Sequence, residues 1–222
     1  MRFTRDMGRV VGVLLFLQLA GLIVPFVLLA PLTVPPRDYL ANAAAAAVQI
    51  KLAALLLLVN CALTIGISIA AFRVFGRNSQ AAALWLLAVS AIMFMQQAVD
   101  NIHLLSMLSL SQQYAQSSGP DSLFLPLAAS VGATRRWAHI TELLVIDCWI
   151  FSFYAVLYRS GVVPRAVAVF GLVTVTSHFI GIPSLSFIGY APIALMGMPM
   201  ALSHITLATW LIAKGFDERP AG

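Results

Sequence analysis

Uninterrupted apolar length governs what this sequence can fold into. Six stretches, at about 10–31, 47–72, 81–107, 138–158, 166–188 and 191–213, each reach across roughly 30 Å of hydrocarbon at about 1.5 Å rise per residue. Lipid offers the backbone no hydrogen bonds, so a segment there must satisfy its own N–H and C=O groups. Continuous apolar runs do so as helices, whereas barrel strands read as short alternating segments. With 61% of residues hydrophobic and 9% charged, no water-soluble core absorbs this surface. The sequence therefore predicts an all-α polytopic membrane protein, one integral-membrane domain over 1–222 with six transmembrane helices in three antiparallel hairpins.

The basic residues set the orientation. With the N-terminus in the cytoplasm, the inner ends hold Arg2, Arg5, Arg9, Arg73, Arg77, Arg159, Arg165, Lys214 and Arg219, and the outer ends hold Arg37, Lys51, Arg135 and Arg136. This nine-to-four bias obeys the positive-inside rule and predicts both termini inside. Trp85, Tyr158 and Trp210 then mark the inner interface, and Trp137 and Tyr190 the outer one. The basic start resembles a signal peptide, but its apolar run outlasts a signal core, so the first span is expected to be a retained anchor. The net charge of +5 is scattered over loop ends without a run or stripe, which argues against nucleic acid as a partner. Cys61 and Cys148 fall inside apolar runs and predict neither a disulfide nor a thiolate metal site. Between spans three and four, residues 108–137 read as a long outer loop, with a Gly119-Pro120-Asp121 turn and an amphiphilic stretch from Leu123 to Val131.

In the last two hairpins, Leu157-Tyr158-Arg159-Ser160-Gly161-Val162-Val163-Pro164-Arg165 and Thr209-Trp210-Leu211-Ile212-Ala213-Lys214-Gly215-Phe216 stand out. The first resembles the Leu-x-Arg-Ser-Gly-x-x-Pro-Arg signature of a bacterial membrane-protein family, domain of unknown function 4386. The second is similar to that family's Trp-Leu-x-x-Lys-Gly ending. The resemblance implies a six-span plan and a bacterial cytoplasmic (inner) membrane, and carries no activity. Independently of any family, Arg159 and Arg165 bracket a tight turn where guanidinium groups grip lipid phosphates.

Ionisable residues within hydrocarbon are costly and so mark functional candidates. Lys51, His103, His139 and Glu142 fall within about two turns of the outer boundaries, and Asp100 and Asp147 about one turn deeper. Gln96, Asp100 and His103 share a face of span three, and His139 and Glu142 are neighbours on span four. The expectation is that these groups converge on one polar cluster, with Lys51 beside a carboxylate. Such a cluster serves equally as an ion-pair network or as a pocket open to the outer side. Two carboxylates and two imidazoles also suit zinc or non-haem iron, although the di-iron pattern of repeated Glu-x-x-His is missing. Met196, Met200 and His204, four apart, form a softer set of the kind that binds copper(I), with ordinary core packing as the alternative. His178 and His204 approach mid-membrane without flanks resembling a haem motif.

Phosphate-binding loops, nucleophile elbows and His-Glu-x-x-His are absent from the sequence. The function read from the sequence is binding of a small or lipophilic ligand in an outer-leaflet polar pocket, or an accessory membrane subunit. The alternatives are a membrane-embedded enzyme using Asp100, His103, His139 and Glu142 for acid–base or metal chemistry, and a transporter. No cofactor is specified; the expected partners are the lipid bilayer, a lipophilic ligand or another membrane protein.

Overall fold

The computed structural model describes residues 2–117, 121–189 and 194–217. Among them are seven α-helices and two 3-10 turns, and no strand. The helices are α1 (Arg2–Leu28), α2 (Pro36–Asn42), α3 (Ala47–Phe75), α4 (Gln80–Gln116), α5 (Asp121–Ser160), α6 (Arg165–Ile188) and α7 (Met198–Lys214). The 3-10 turns are Ala30–Leu32 and Ala194–Gly197. Five of the helices, α1 and α3 to α6, are long and apolar enough to cross a membrane. Side chains such as Ile23, Phe26, Leu55, Ile102 and Val173 are exposed along them. In water that surface would be prohibitive; facing acyl chains it is the expected outer face of a multi-pass membrane protein.

Six spans are expected; five helices have the length and hydropathy of a span, and the last apolar run gives the 17-residue α7. Its predicted start is cut short because residues 194–197 form a 3-10 turn and Pro199 sits in the first turn of α7. One expectation is corrected: of the stretch 108–137, residues 108–116 and 121–137 are helical rather than loop. Helix α4 runs on to Gln116 and α5 begins at Asp121, making them 37 and 40 residues long. Ser106 and Ser109 return their hydroxyls to the carbonyls four residues back, so these two polar side chains are satisfied within the helix. The predicted Gly119-Pro120 turn, Tyr190 and Arg219 lie outside the described residues.

The chain packs as two compact units. The first comprises Met1–Leu19, Cys61–Met93 and Leu143–Gly222. An aromatic group fills it: Phe75 meets Phe153 and Phe216 edge-on or tilted, and Trp149 stacks on Phe153 at 5.0 Å. The Trp149 indole donates to Ser68 Oγ at 3.0 Å. Two close approaches depend on glycine. A Cβ on Gly8 would meet the backbone of Gly215 and Phe216, and one on Gly12 would meet Ala208 and Leu211. This Gly-x-x-x-Gly spacing lets α1 lie directly against α7 and the residues after it. Arg5 Nε donates to the Lys214 carbonyl at 3.1 Å, and Asp217 N–H donates to the Val162 carbonyl at 2.8 Å. Gly161, at φ +63°, makes the turn between α5 and α6.

The second unit comprises Ala20–Asn60 and Phe94–Glu142. Its core joins Leu29, Leu40, Ile50, Leu104, Leu108 and Phe124. Helix α2 is fixed into it by polar ties. Tyr39 Oη donates to the Ala128 carbonyl at 3.0 Å, Ser111 Oγ donates to the Leu40 carbonyl at 2.8 Å, and the Ala44 N–H donates to Ser111 Oγ. Asn101 Nδ2 donates to the Ala54 carbonyl, linking α4 to α3, while Asn101 Oδ1 accepts from Gln97 Nε2 one turn back on α4.

Candidate functional site

Within the second unit, Arg135, His139 and Glu142 are spaced four and three apart on α5 and so share a face. Opposite them stands Asp100 of α4. His139 Nδ1 lies 3.1 Å from Glu142 Oε2 and 4.0 Å from Asp100 Oδ2, while Arg135 Nε lies 3.4 Å from Asp100 Oδ1. Asp100 and Glu142 are almost wholly buried, but the His139 side chain is 43% exposed and forms the open edge of the cluster. One ligand atom from each of Asp100, His139 and Glu142 falls within 4.8 Å of the others.

The hydrogen bonding is incomplete. Neither carboxylate oxygen of Asp100 accepts a hydrogen bond and Arg135 Nε donates none, although the two groups form an ion pair at 3.4 Å. Native proteins give nearly all such buried atoms a hydrogen bond, so this ion-paired but unbonded carboxylate is an exception. Two carboxylates against one guanidinium also leave one negative charge for a cation to offset, whether a proton on His139 or a bound ion. The cluster can therefore bind a small cationic or polar species, or pass a proton between His139 and Glu142.

The residues expected at this site divide. Asp100, His139 and Glu142 come together. Lys51 does not join them: it is exposed and has no ion pair with a described residue. Gln96 and His103 are half-buried, and it is Gln97 that is buried and bonded. Arg135 takes the place foreseen for Lys51, and sequence reasoning missed it because residues 108–137 read as a loop. Its spacing from His139 and Glu142 was the available signal.

Asp147 belongs instead to the first unit. There His178 Nδ1 donates to both of its oxygens, at 2.9 and 2.8 Å, with both residues buried. Another polar set in that unit joins Tyr154, Thr174 and Ser203. Thr174 Oγ1 donates to Ser203 Oγ at 3.1 Å and the Tyr154 hydroxyl donates to it at 3.4 Å. His204 Nδ1 donates to the Met200 carbonyl at 3.0 Å. Met196 sits in the 3-10 turn before α7, so the Met196, Met200 and His204 spacing is not continued on one helix, a correction to the single face expected for copper. Arg159 and Arg165 are both exposed beside the α5–α6 turn, and Arg165 lies 5.9 Å from the centre of the Tyr158 ring.

A groove of about 460 Å³ in the second unit is lined by Ile102, Leu105, Ser106, Ser109, Gln113 and Val131, among others. None of Asp100, Arg135, His139 and Glu142 is among its lining residues.

A family model described as domain of unknown function (DUF4386) matches residues 10–215. No curated protein and no solved structure matches the chain significantly.

Proposed function

Because the chain belongs to the DUF4386 family, whose description assigns no activity, we propose a function from the site: a multi-pass membrane protein that binds a small polar ligand at Asp100, Arg135, His139 and Glu142. The observation that carries this reading is the buried Asp100 carboxylate with no hydrogen bond to either oxygen. A closed structural network would satisfy those atoms, whereas a binding site leaves them for its ligand. None of these four residues lines the groove beside α4, which favours a small ligand over a lipophilic one. Acid–base chemistry is the second reading, favoured by the direct contact of half-exposed His139 with buried Glu142.

The setting completes the proposal. The nine-to-four bias of basic residues favours the N-in orientation in a bacterial inner membrane. Helix α7, about 25 Å long at 17 residues, then serves as the sixth span, ending at Lys214. Arg159 and Arg165 anchor the α5–α6 turn to headgroup phosphates.

Asp100→Asn tests the assignment. If the carboxylate is held ready for a ligand, removing its charge raises the thermal midpoint of the ligand-free protein by about 2–4 °C, the response to ~1 kcal/mol in a chain of this size. A midpoint lowered as far as by Arg135→Ala would make Asp100 a structural partner and overturn the reading.

A further inference from the structure

We propose that Asp100 Oδ2, His139 Nδ1 and Glu142 Oε2 bind one divalent first-row transition-metal ion, an inference that rests on the small-ligand reading above. One atom from each lies within 4.8 Å of the others. The independent observation is Asp100 itself, 1% exposed, with neither oxygen hydrogen-bonded and Oδ2 turned toward His139.

The geometry is close to what such an ion needs. Bonds of about 2.1 Å at tetrahedral angles separate ligand atoms by about 3.4 Å. The His139–Glu142 separation of 3.1 Å must open by a few tenths of an ångström, and the His139–Asp100 separation of 4.0 Å must close by about half. Both are side-chain adjustments, His139 and Glu142 being one turn apart on α5. On binding, Nδ1 gives up its hydrogen bond to Glu142 and presents its lone pair, with the ring proton carried on Nε2.

Arg135 does not compete with the ion. It faces Oδ1 of Asp100, the oxygen turned from His139, so a modest rotation lets Nε donate to Oδ1 while Oδ2 ligates. Metal-bound carboxylates are commonly oriented by such an outer donor. One imidazole and two carboxylates form a borderline-hard set, suited to zinc, manganese or ferrous iron rather than copper(I). Three protein ligands leave a fourth position for water or substrate, as in catalytic rather than structural zinc sites.

The test uses the full chain in lipid nanodiscs, stripped with chelator and titrated with Co²⁺ as a spectroscopic probe and with Zn²⁺. One ion per chain is expected, with a ligand-field spectrum for cobalt. Asp100→Asn, His139→Gln and Glu142→Gln should each weaken binding at least tenfold, and His103→Gln should leave it unchanged. A measurement on the unaltered protein guards against misfolded variants: Zn²⁺ should protect His139 from diethyl pyrocarbonate while His103 reacts at an unchanged rate. Absence of a stoichiometric ion, or unprotected His139 at saturating Zn²⁺, overturns the metal assignment. If Asp100→Asn still raises the thermal midpoint in that case, the small-ligand site stands with a different ligand; if it lowers the midpoint, both fall.

Discussion

His178 and Asp147 form the most fully buried ionisable pair among the described residues, with two hydrogen bonds shorter than 3 Å. Such a pair is defined by what happens when one member is lost. His178→Ala leaves a carboxylate 0% exposed without its donor, a change that costs about 3–5 kcal/mol in proteins. Joining Asp147→Asn to His178→Ala should restore most of that loss, because the remaining amide needs no charge compensation. Thermal unfolding of the two single variants and the double variant reads the cycle, and strictly additive losses would show the pair to be uncoupled. Sequence placed both residues within the membrane but could not join them, since partners on different helices leave no periodic trace. The Asp100, His139 and Glu142 cluster was partly legible because helical spacing already aligned its α5 members. Arg135 was hidden by a neighbouring error, the loop expected over 108–137.

That error belongs to the scale of the element. Residues 109–117 are rich in Ser and Gln, and polarity in a membrane protein reads as exposure to water and hence as loop. Here the polarity is spent on α2. Ser111 bridges the Leu40 carbonyl and the Ala44 N–H, and Tyr39 reaches the Ala128 carbonyl. A seven-residue helix cannot persist alone, so α2 and the extended ends of α4 and α5 stabilise one another. Burial pushes the Tyr39 phenol from its usual 10.0 up to about 12. A folded pKa above the unfolded one means that this contribution is complete below pH 10.0 and is lost as the pH rises toward about 12. Tyrosinate absorbance between pH 10.0 and about 12 should therefore contain a late-ionising contribution that disappears in Tyr39→Phe. A titration in which the variant and the parent chain match over that range would show that Tyr39 is not protected. The apolar spans themselves were legible, because a helix in lipid has no alternative way to satisfy its backbone. The beginning of α7 was not, since Gly197 and Pro199 interrupt a run that remains apolar by composition.

For the molecule as a whole, orientation is the property that sequence states most directly and packing least. In a background without Cys61 and Cys148, Asn78→Cys and Gly161→Cys should react with an impermeant maleimide only after the inner side is opened. Ser117→Cys should react from outside. Reaction of Ser117→Cys from the cytoplasm alone would reverse the orientation. The seal of the first unit has a separate consequence, for the order in which the protein is made. Helix α1 leaves the ribosome well before α7, yet Gly8 and Gly12 lie against α7 and the residues that follow it, and Arg5 donates to Lys214. Helix α1 must therefore wait, its glycine face uncovered, until some two hundred further residues have been synthesised. Among the described residues this contact joins the most distant parts of the chain, so shelter of α1 by the insertion machinery, rather than any local propensity, conditions its formation.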